Sequence, residues 1–79
     1  MWTVYVLLCE DGSYYIGVTN NLERRFKEHI ASKGAKYTRS HKPVKIAYQE
    51  TFSTKSEALQ REFQLKKFSH QQKSIIIKK

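Results

Sequence analysis

Residues 3–19 read Thr-Val-Tyr-Val-Leu-Leu-Cys-Glu-Asp-Gly-Ser-Tyr-Tyr-Ile-Gly-Val-Thr, and the reading of this stretch decides the fold. Two β-rich runs flank Asp11-Gly12, a dipeptide that favours a tight hairpin because glycine accepts the positive φ such turns demand. The length of the turn sets which residues face one another. A two-residue loop, Asp11-Gly12, pairs Tyr5 with Val18 and turns it away from the face carrying Tyr15. A three-residue loop, Glu10-Asp11-Gly12, with Gly12 in the left-handed position of a bulge, pairs Tyr5 with Gly17 and Leu7 with Tyr15. In this second register Val4, Val6, Leu8, Tyr14, Ile16 and Val18 make one apolar face. Thr3, Tyr5, Leu7, Cys9, Ser13, Tyr15, Gly17 and Thr19 make a mixed, hydroxyl-rich one. A one-residue slip would scramble that sorting, so the three-residue loop is expected. It places both tyrosines on a non-core face, with Gly17 making room opposite Tyr5.

The rest of the chain builds outward from the hairpin. Asn20 or Asn21 caps a helix expected over 22–33, with Gly34 just past its end. Leu22, Phe26 and Ile30 share an arc of about 80° that should face the core. Arg24 points away, while Arg25 and His29 lie side by side at the arc's edge. Arg25 would pair with Glu28 or Glu23 as an ordinary surface charge, and His29 would be a half-buried edge histidine. Residues 34–43 form a loop in which Lys36, Arg39 and Lys42 alternate with Tyr37 and His41 and no acid intervenes. That composition suits phosphate contact and base stacking. Pro43 opens a third strand over 44–52, with Val44, Ile46, Tyr48 and Phe52 on one face. Thr54 and Glu57 form a capping box for a second helix over 55–68. Ser69 caps a further short helix ending near Ile77, unless the β-branched Ile75-Ile76-Ile77 makes a strand or a docked tail.

The second helix holds one anomaly. Leu59, Phe63, Leu65 and Phe68 average to a direction about 60° from Ala58, and Glu62, about 40° from Ala58, falls inside the apolar stripe. A core-side glutamate is paired with a cation, binds a metal or works in a cleft; Lys66, four residues on, is the simple ion-pair partner.

Composition sets the limits. Seventy-nine residues make one small domain, able to bury roughly 60% of its unfolded surface. There is no apolar run long enough to cross a membrane, and no signal peptide precedes the first strand. A single cysteine, Cys9, excludes an internal disulfide and points to a reduced, cytoplasmic setting. The net charge of +8 is unevenly spread: residues 1–23 hold three acids and no bases, and residues 24–79 hold fifteen bases and four acids. That asymmetry favours a polyanionic partner, nucleic acid ahead of membrane because no basic helix carries a broad bare apolar face.

Taken together, these residues resemble the GIY-YIG nuclease superfamily, and in particular its small standalone bacterial members of the UPF0213 type. Tyr15-Ile16-Gly17 stands as the second signature triplet, and Thr3-Val4-Tyr5 as a degenerate first one that keeps the tyrosine. The run from Tyr15 to His29 is similar to the family's second strand leading into its first helix, and Arg25 falls where the family has its catalytic arginine. His29 matches a histidine found in several members. Gly34-Ala35-Lys36-Tyr37-Thr38-Arg39 and Pro43-Val44 resemble the connecting loop, and Ala58-Leu59-Gln60-Arg61-Glu62 the helix bearing the metal-binding glutamate. The resemblance covers nearly the whole chain.

It implies an α+β domain with a small three-stranded antiparallel sheet flanked by two to three helices. It further implies a metal-dependent endonuclease acting on DNA, using one Mg²⁺ or Mn²⁺ held by Glu62. Tyr5, Tyr15, Arg25 and His29 would be catalytic, and Lys36, Tyr37, Arg39 and Lys42 would contact nucleic acid. Tyr5 or Tyr15 would orient or deprotonate the attacking water, with Tyr5 favoured as base and Tyr15 as the positioning residue. The metal and Arg25 would lower a phenol that otherwise titrates near about 10. The tail from Ser69 onward lacks asparagine, a residue type many active members carry there. This leaves a non-catalytic nucleic-acid-binding module as the alternative, with a protein-interaction domain behind it. A domain this small offers little surface for specificity, which leaves room for a partner protein.

Overall fold

The computed structural model describes residues 1–31 and 40–77. Three strands, β1 (Trp2–Cys9), β2 (Tyr14–Thr19) and β3 (Pro43–Phe52), form an antiparallel sheet in the order β2-β1-β3. Helix α1 (Leu22–Ile30) follows β2, and α2 (Lys55–Lys66) and α3 (His70–Ile77) follow β3. The α+β architecture is the one expected.

The hairpin register is also as expected: Tyr5 faces Gly17 and Leu7 faces Tyr15. Cys9 N–H donates to Ser13 O (2.9 Å) and Gly12 N–H to Cys9 O (3.0 Å), closing a loop of Glu10, Asp11 and Gly12. Gly12 sits at φ +82°, a conformation in which a Cβ would be strained. Two histidines distant in sequence brace this tip. Asp11 accepts 2.6 Å bonds from His41 Nδ1–H and from the Ser13 hydroxyl, and these hold its carboxyl down at about 2. His70 stacks on Tyr14, with ring centroids 4.7 Å apart, and its Nε2–H donates to Gly12 O at 2.8 Å.

The apolar face of the hairpin makes the main core: Val4, Val6 and Ile16 pack against Ala58 and Leu65 of α2, with Phe68, Ile76 and Ile77 adding cover from the C-terminal segment. The other face, expected to lie outside the core, is also covered: Tyr5, Leu7 and Cys9 are buried, as is His29 of α1. Both faces of the central strand are thus occupied, one by α2 and α3 and one by α1.

Several boundaries and faces differ from expectation. Helix α1 ends at Ile30 with Ala31 as its cap, so the proposed terminus at Gly34 lies outside the described residues. Asn21 caps its start, accepting from Arg24 N–H at 3.1 Å. Its inward residue is His29, fully buried, whereas Ile30 is 46% exposed. The helix is rolled toward the expected edge of its arc because the tyrosine face offers His29 a hydroxyl partner. In β3, Val6 pairs with Tyr48 but Leu7 with Ile46, and Leu8 with Lys45 but Cys9 with Pro43. Two bulges, at Ala47 and Val44, therefore break the single face expected of the strand, and Val44 is left exposed.

Helix α2 ends at Lys66 rather than Phe68. Thr54 caps it, accepting from Glu57 N–H at 3.3 Å and donating to the Glu57 carboxylate at 3.0 Å. Ala58 and Leu65 face the core, but Leu59 and Phe63 are solvent-exposed, with Lys67 Nζ 4.3 Å from the Phe63 ring centroid. Arg61 fixes this rotation by reaching Glu50 on β3, with Nε 3.0 Å from Oε2. After it, Ser69 and Gln72 cap each other (Ser69 N–H to Oε1 2.8 Å, Gln72 N–H to Oγ 3.2 Å). This reciprocal box resolves the C-terminal segment as a helix, not a strand.

Candidate functional site

The site grows from the space at Gly17. Tyr5 projects across the sheet onto Gly17, its cross-strand partner, so closely that a Cβ there would stand 2.6 Å from Tyr5 Cζ. On the same face Tyr15, two residues before Gly17, brings its ring centroid to 6.4 Å from that of Tyr5. Helix α1 then lowers His29 onto both rings, at 5.9 Å from Tyr5 and 5.1 Å from Tyr15. The Tyr5 hydroxyl and His29 Nε2 are hydrogen-bonded at 3.0 Å.

Arg25, one turn before His29, closes the cluster. Its Nη1 is 3.2 Å from Glu28 Oε1, and its charge favours ionisation of the Tyr5 phenol. Burial nevertheless pushes that phenol up to about 12, with Tyr15 and Glu62 adding to the rise. Burial, reinforced by Arg25, also holds the His29 imidazole below its ordinary value. At neutral pH the unliganded cluster is therefore a protonated phenol joined to a neutral imidazole. The expectation that Arg25 lowers the phenol is met in direction but is outweighed by desolvation.

The buried His29 has a stability consequence. Its folded pKa is depressed, so below about pH 6.5 an unfolded chain takes up a proton that folded His29 refuses. Stability is complete above that value and falls as pH drops, by up to about 1.4 kcal/mol per pH unit. Urea unfolding at pH 7.5 and 5.5 should show a larger acid loss in the wild type than in His29→Gln. Equal losses would mean that folded His29 protonates freely.

Glu62 lies on the Ala58–Leu65 side of α2, as its position in the stripe implied, with its side chain 20% exposed and Lys66 Nζ 3.5 Å from its Oε2. The simple ion-pair reading thus holds, and Glu62 also adds the smallest of the contributions that shift the Tyr5 phenol. Among the described residues no three of His, Cys, Asp and Glu group to hold a metal ion. A single partly buried carboxylate fits a hard divalent ion that takes its remaining ligands from water and phosphate, as Mg²⁺ and Mn²⁺ do, and does not fit zinc.

The structure therefore brings together Tyr5, Tyr15, Arg25 and His29, with Glu62 within electrostatic reach. Lys36, Tyr37 and Arg39 lie outside the described residues. Lys42 is exposed, and its carbonyl accepts from Glu10 N–H at 2.9 Å, which seats it beside the hairpin tip. The bracing roles of His41 and His70 had no signal in the sequence, because each depends on a partner some thirty or more residues away.

A family model, the GIY-YIG catalytic domain, matches residues 1–74. A UPF0213 protein of Staphylococcus haemolyticus is 53% identical over 74 residues, covering 94% of this chain and 90% of its own. One of Bacillus licheniformis is 56% identical over 73 residues, covering 92% and 75%. The solution NMR structure of a UPF0213 protein from Bacillus halodurans superimposes with a TM-score of 0.62 at 39% identity, over 99% of this chain and 84% of that one. That of a protein from E. faecalis gives 0.64 at 43% identity, over 96% and 81%. With a small α+β sheet carrying paired tyrosines, this chain belongs to the GIY-YIG family, a family of nuclease catalytic domains. Within that family it is similar to the UPF0213 proteins. No helix among the described residues is long and apolar enough to cross a membrane.

Proposed function

We propose that this chain is a cytoplasmic, single-domain, metal-dependent endonuclease that hydrolyses DNA phosphodiester bonds. The observation that carries the reading is the gathering of Tyr5, Tyr15, Arg25 and His29 around one buried hydroxyl, with Glu62 near enough to act on it. Glu62 would hold one Mg²⁺ or Mn²⁺, which when bound supplies positive charge for the non-bridging phosphate oxygens. Arg25, kept in place by Glu28, presents its remaining N–H groups to the scissile phosphate.

A phenol near 12 is a poor base alone, and the 3.0 Å contact with His29 removes that difficulty. With the imidazole proton on Nδ1, Nε2 accepts from the Tyr5 O–H. As the attacking water bonds to phosphorus, the P–O bond to the leaving oxygen breaks; the water's proton passes to the Tyr5 oxygen and the Tyr5 proton to Nε2, while the leaving oxygen takes its proton from solvent. No full phenolate forms. Tyr15, against both rings, holds the water's position. Lys42, which is exposed, would track the DNA backbone together with Lys36, Tyr37 and Arg39.

The test is nicking of supercoiled plasmid with Mg²⁺, Mn²⁺ or EDTA. Tyr5→Phe keeps the ring against Gly17 and removes the hydroxyl relay, and it should slow metal-dependent nicking on the order of 10²-fold. Salt-sensitive DNA binding without metal-dependent nicking in the wild type would instead identify a binding module.

A further inference from the structure

Glu62 and Lys66 form an unequal pair. The carboxylate is 20% exposed and sits between two core residues, Ala58 and Leu65, on its helix, whereas the Lys66 side chain is 57% exposed. One member is held by packing and the other is free to leave. A partly desolvated carboxylate needs a countercharge, and Lys66 is its ion-pair partner among the described residues.

The other cations of α2 and its cap are engaged elsewhere. Arg61 reaches Glu50 and Gln64, Lys55 lies over the Trp2 ring and Lys67 over the Phe63 ring. Lys66 alone among these four is turned to Glu62. A divalent cation on Glu62 would stand beside that ammonium, and the two repel. The lysine, whose side chain is 57% exposed, must then swing outward into solvent, where a DNA phosphate would offer it a new partner.

We propose that Lys66 is a tethered counter-ion that competes with the divalent metal for Glu62 and yields to DNA phosphate, so that metal and DNA each tighten the binding of the other. This rests on the reading of Glu62 as metal ligand. The coupling is reciprocal by linkage, and its size is set by one exposed ion pair, so it is modest.

The test is Mn²⁺ binding, read from the electron paramagnetic resonance signal of free Mn²⁺, with and without a phosphorothioate DNA duplex that resists cleavage. Without DNA, Lys66→Met should bind Mn²⁺ about 2- to 5-fold more tightly than the wild type. Lys66→Arg, which keeps the charge, should not. Addition of the duplex should tighten Mn²⁺ binding in the wild type by a larger factor than in Lys66→Met. Methionine is a good helix former, so the thermal midpoint should fall by no more than the loss of one exposed ion pair allows, at most about 4–8 °C. If Mn²⁺ binding depends on Glu62 but Lys66→Met matches the wild type in affinity and in response to DNA, the coupling is wrong and the ligand assignment stands. If Glu62→Ala binds Mn²⁺ as well as the wild type, both are wrong.

Discussion

Glu62→Ala is expected to lower metal-dependent DNA cleavage by at least about 10³-fold, the equivalent of several kcal/mol of lost charge stabilisation in the transition state. The loss should be this large because Glu62 is the one carboxylate, among the described residues, that acts on the Tyr5 phenol. Glu28 pairs with Arg25 and Glu50 with Arg61, and no described His, Cys, Asp or Glu group could take over as a cage. The fold should not suffer. Alanine is the best helix former, and the Lys66 pair it removes is of the exposed kind that contributes roughly 0–1 kcal/mol. A separate readout follows from the electrostatics. Glu62 helps raise the Tyr5 phenol, so in Glu62→Ala the slowest-ionising tyrosine should titrate at lower pH by ultraviolet absorbance. Cleavage by the variant at the wild-type rate would assign the activity to another protein in the preparation.

Gly17→Ala is expected to give the largest loss of stability of any single methyl addition on the site face. The new Cβ would lie 2.6 Å from Tyr5 Cζ and closer still to its hydroxyl oxygen, well inside ordinary carbon contact of about 3.5–4.0 Å. Tyr5 cannot retreat, because it is 1% exposed and is hemmed in by Tyr15 and by a His29 that is itself fully buried. Overpacking of this kind costs about 1–3 kcal/mol, or about 4–8 °C in melting temperature per kcal/mol for a domain of this size. Cleavage should fall on the order of 10²-fold as well, since the Tyr5 hydroxyl is pushed off its contact with His29. The mechanism is tested by a double-mutant cycle on urea unfolding. In a Tyr5→Leu background, where the distal ring is gone, Gly17→Ala should cost less, with a coupling of at least about 0.5 kcal/mol. Additive losses would show that the Tyr5–Gly17 contact does not limit this position.

Raised alkali bears on the same tyrosine. Because the folded Tyr5 phenol stays protonated to about 12 while an unfolded one ionises near about 10, its contribution to stability is whole below 10 and drains away between those values. Burial of His29 and of Tyr5 thus contributes to the acid and to the alkaline margin of this small domain respectively.

What the sequence determined by itself was which residues stand together along the chain. Period-2 alternation and Asp11-Gly12 were enough to place Tyr5 opposite Gly17 and Leu7 opposite Tyr15, because a slip of one residue would have exposed the apolar set. The capping box at Thr54 was legible, and the cap of α1 to within one residue, Asn20 or Asn21, because a helix start satisfies its own backbone locally; the segment after Ser69 stayed open between helix and strand. Glu62 was legible as an anomaly of helical phase. Family membership followed from the ordered motifs.

What covers each face was not legible. Periodicity says that Tyr5 and Tyr15 share a side of the sheet. It does not say that α1 lies on that side, or that it rolls to bury His29 and expose Ile30. That choice is made by a hydrogen bond between residues 24 positions apart. In the same way the reach of Arg61 to Glu50 turns Leu59 and Phe63 outward, and two bulges in β3 redistribute Val44 and Ile46. Local chemistry determines the hairpin and its tyrosine pair; only tertiary packing turns that pair from a wet, hydroxyl-bearing face into a buried phenol–imidazole unit, because desolvation and long-range partners exist only once the helix has docked.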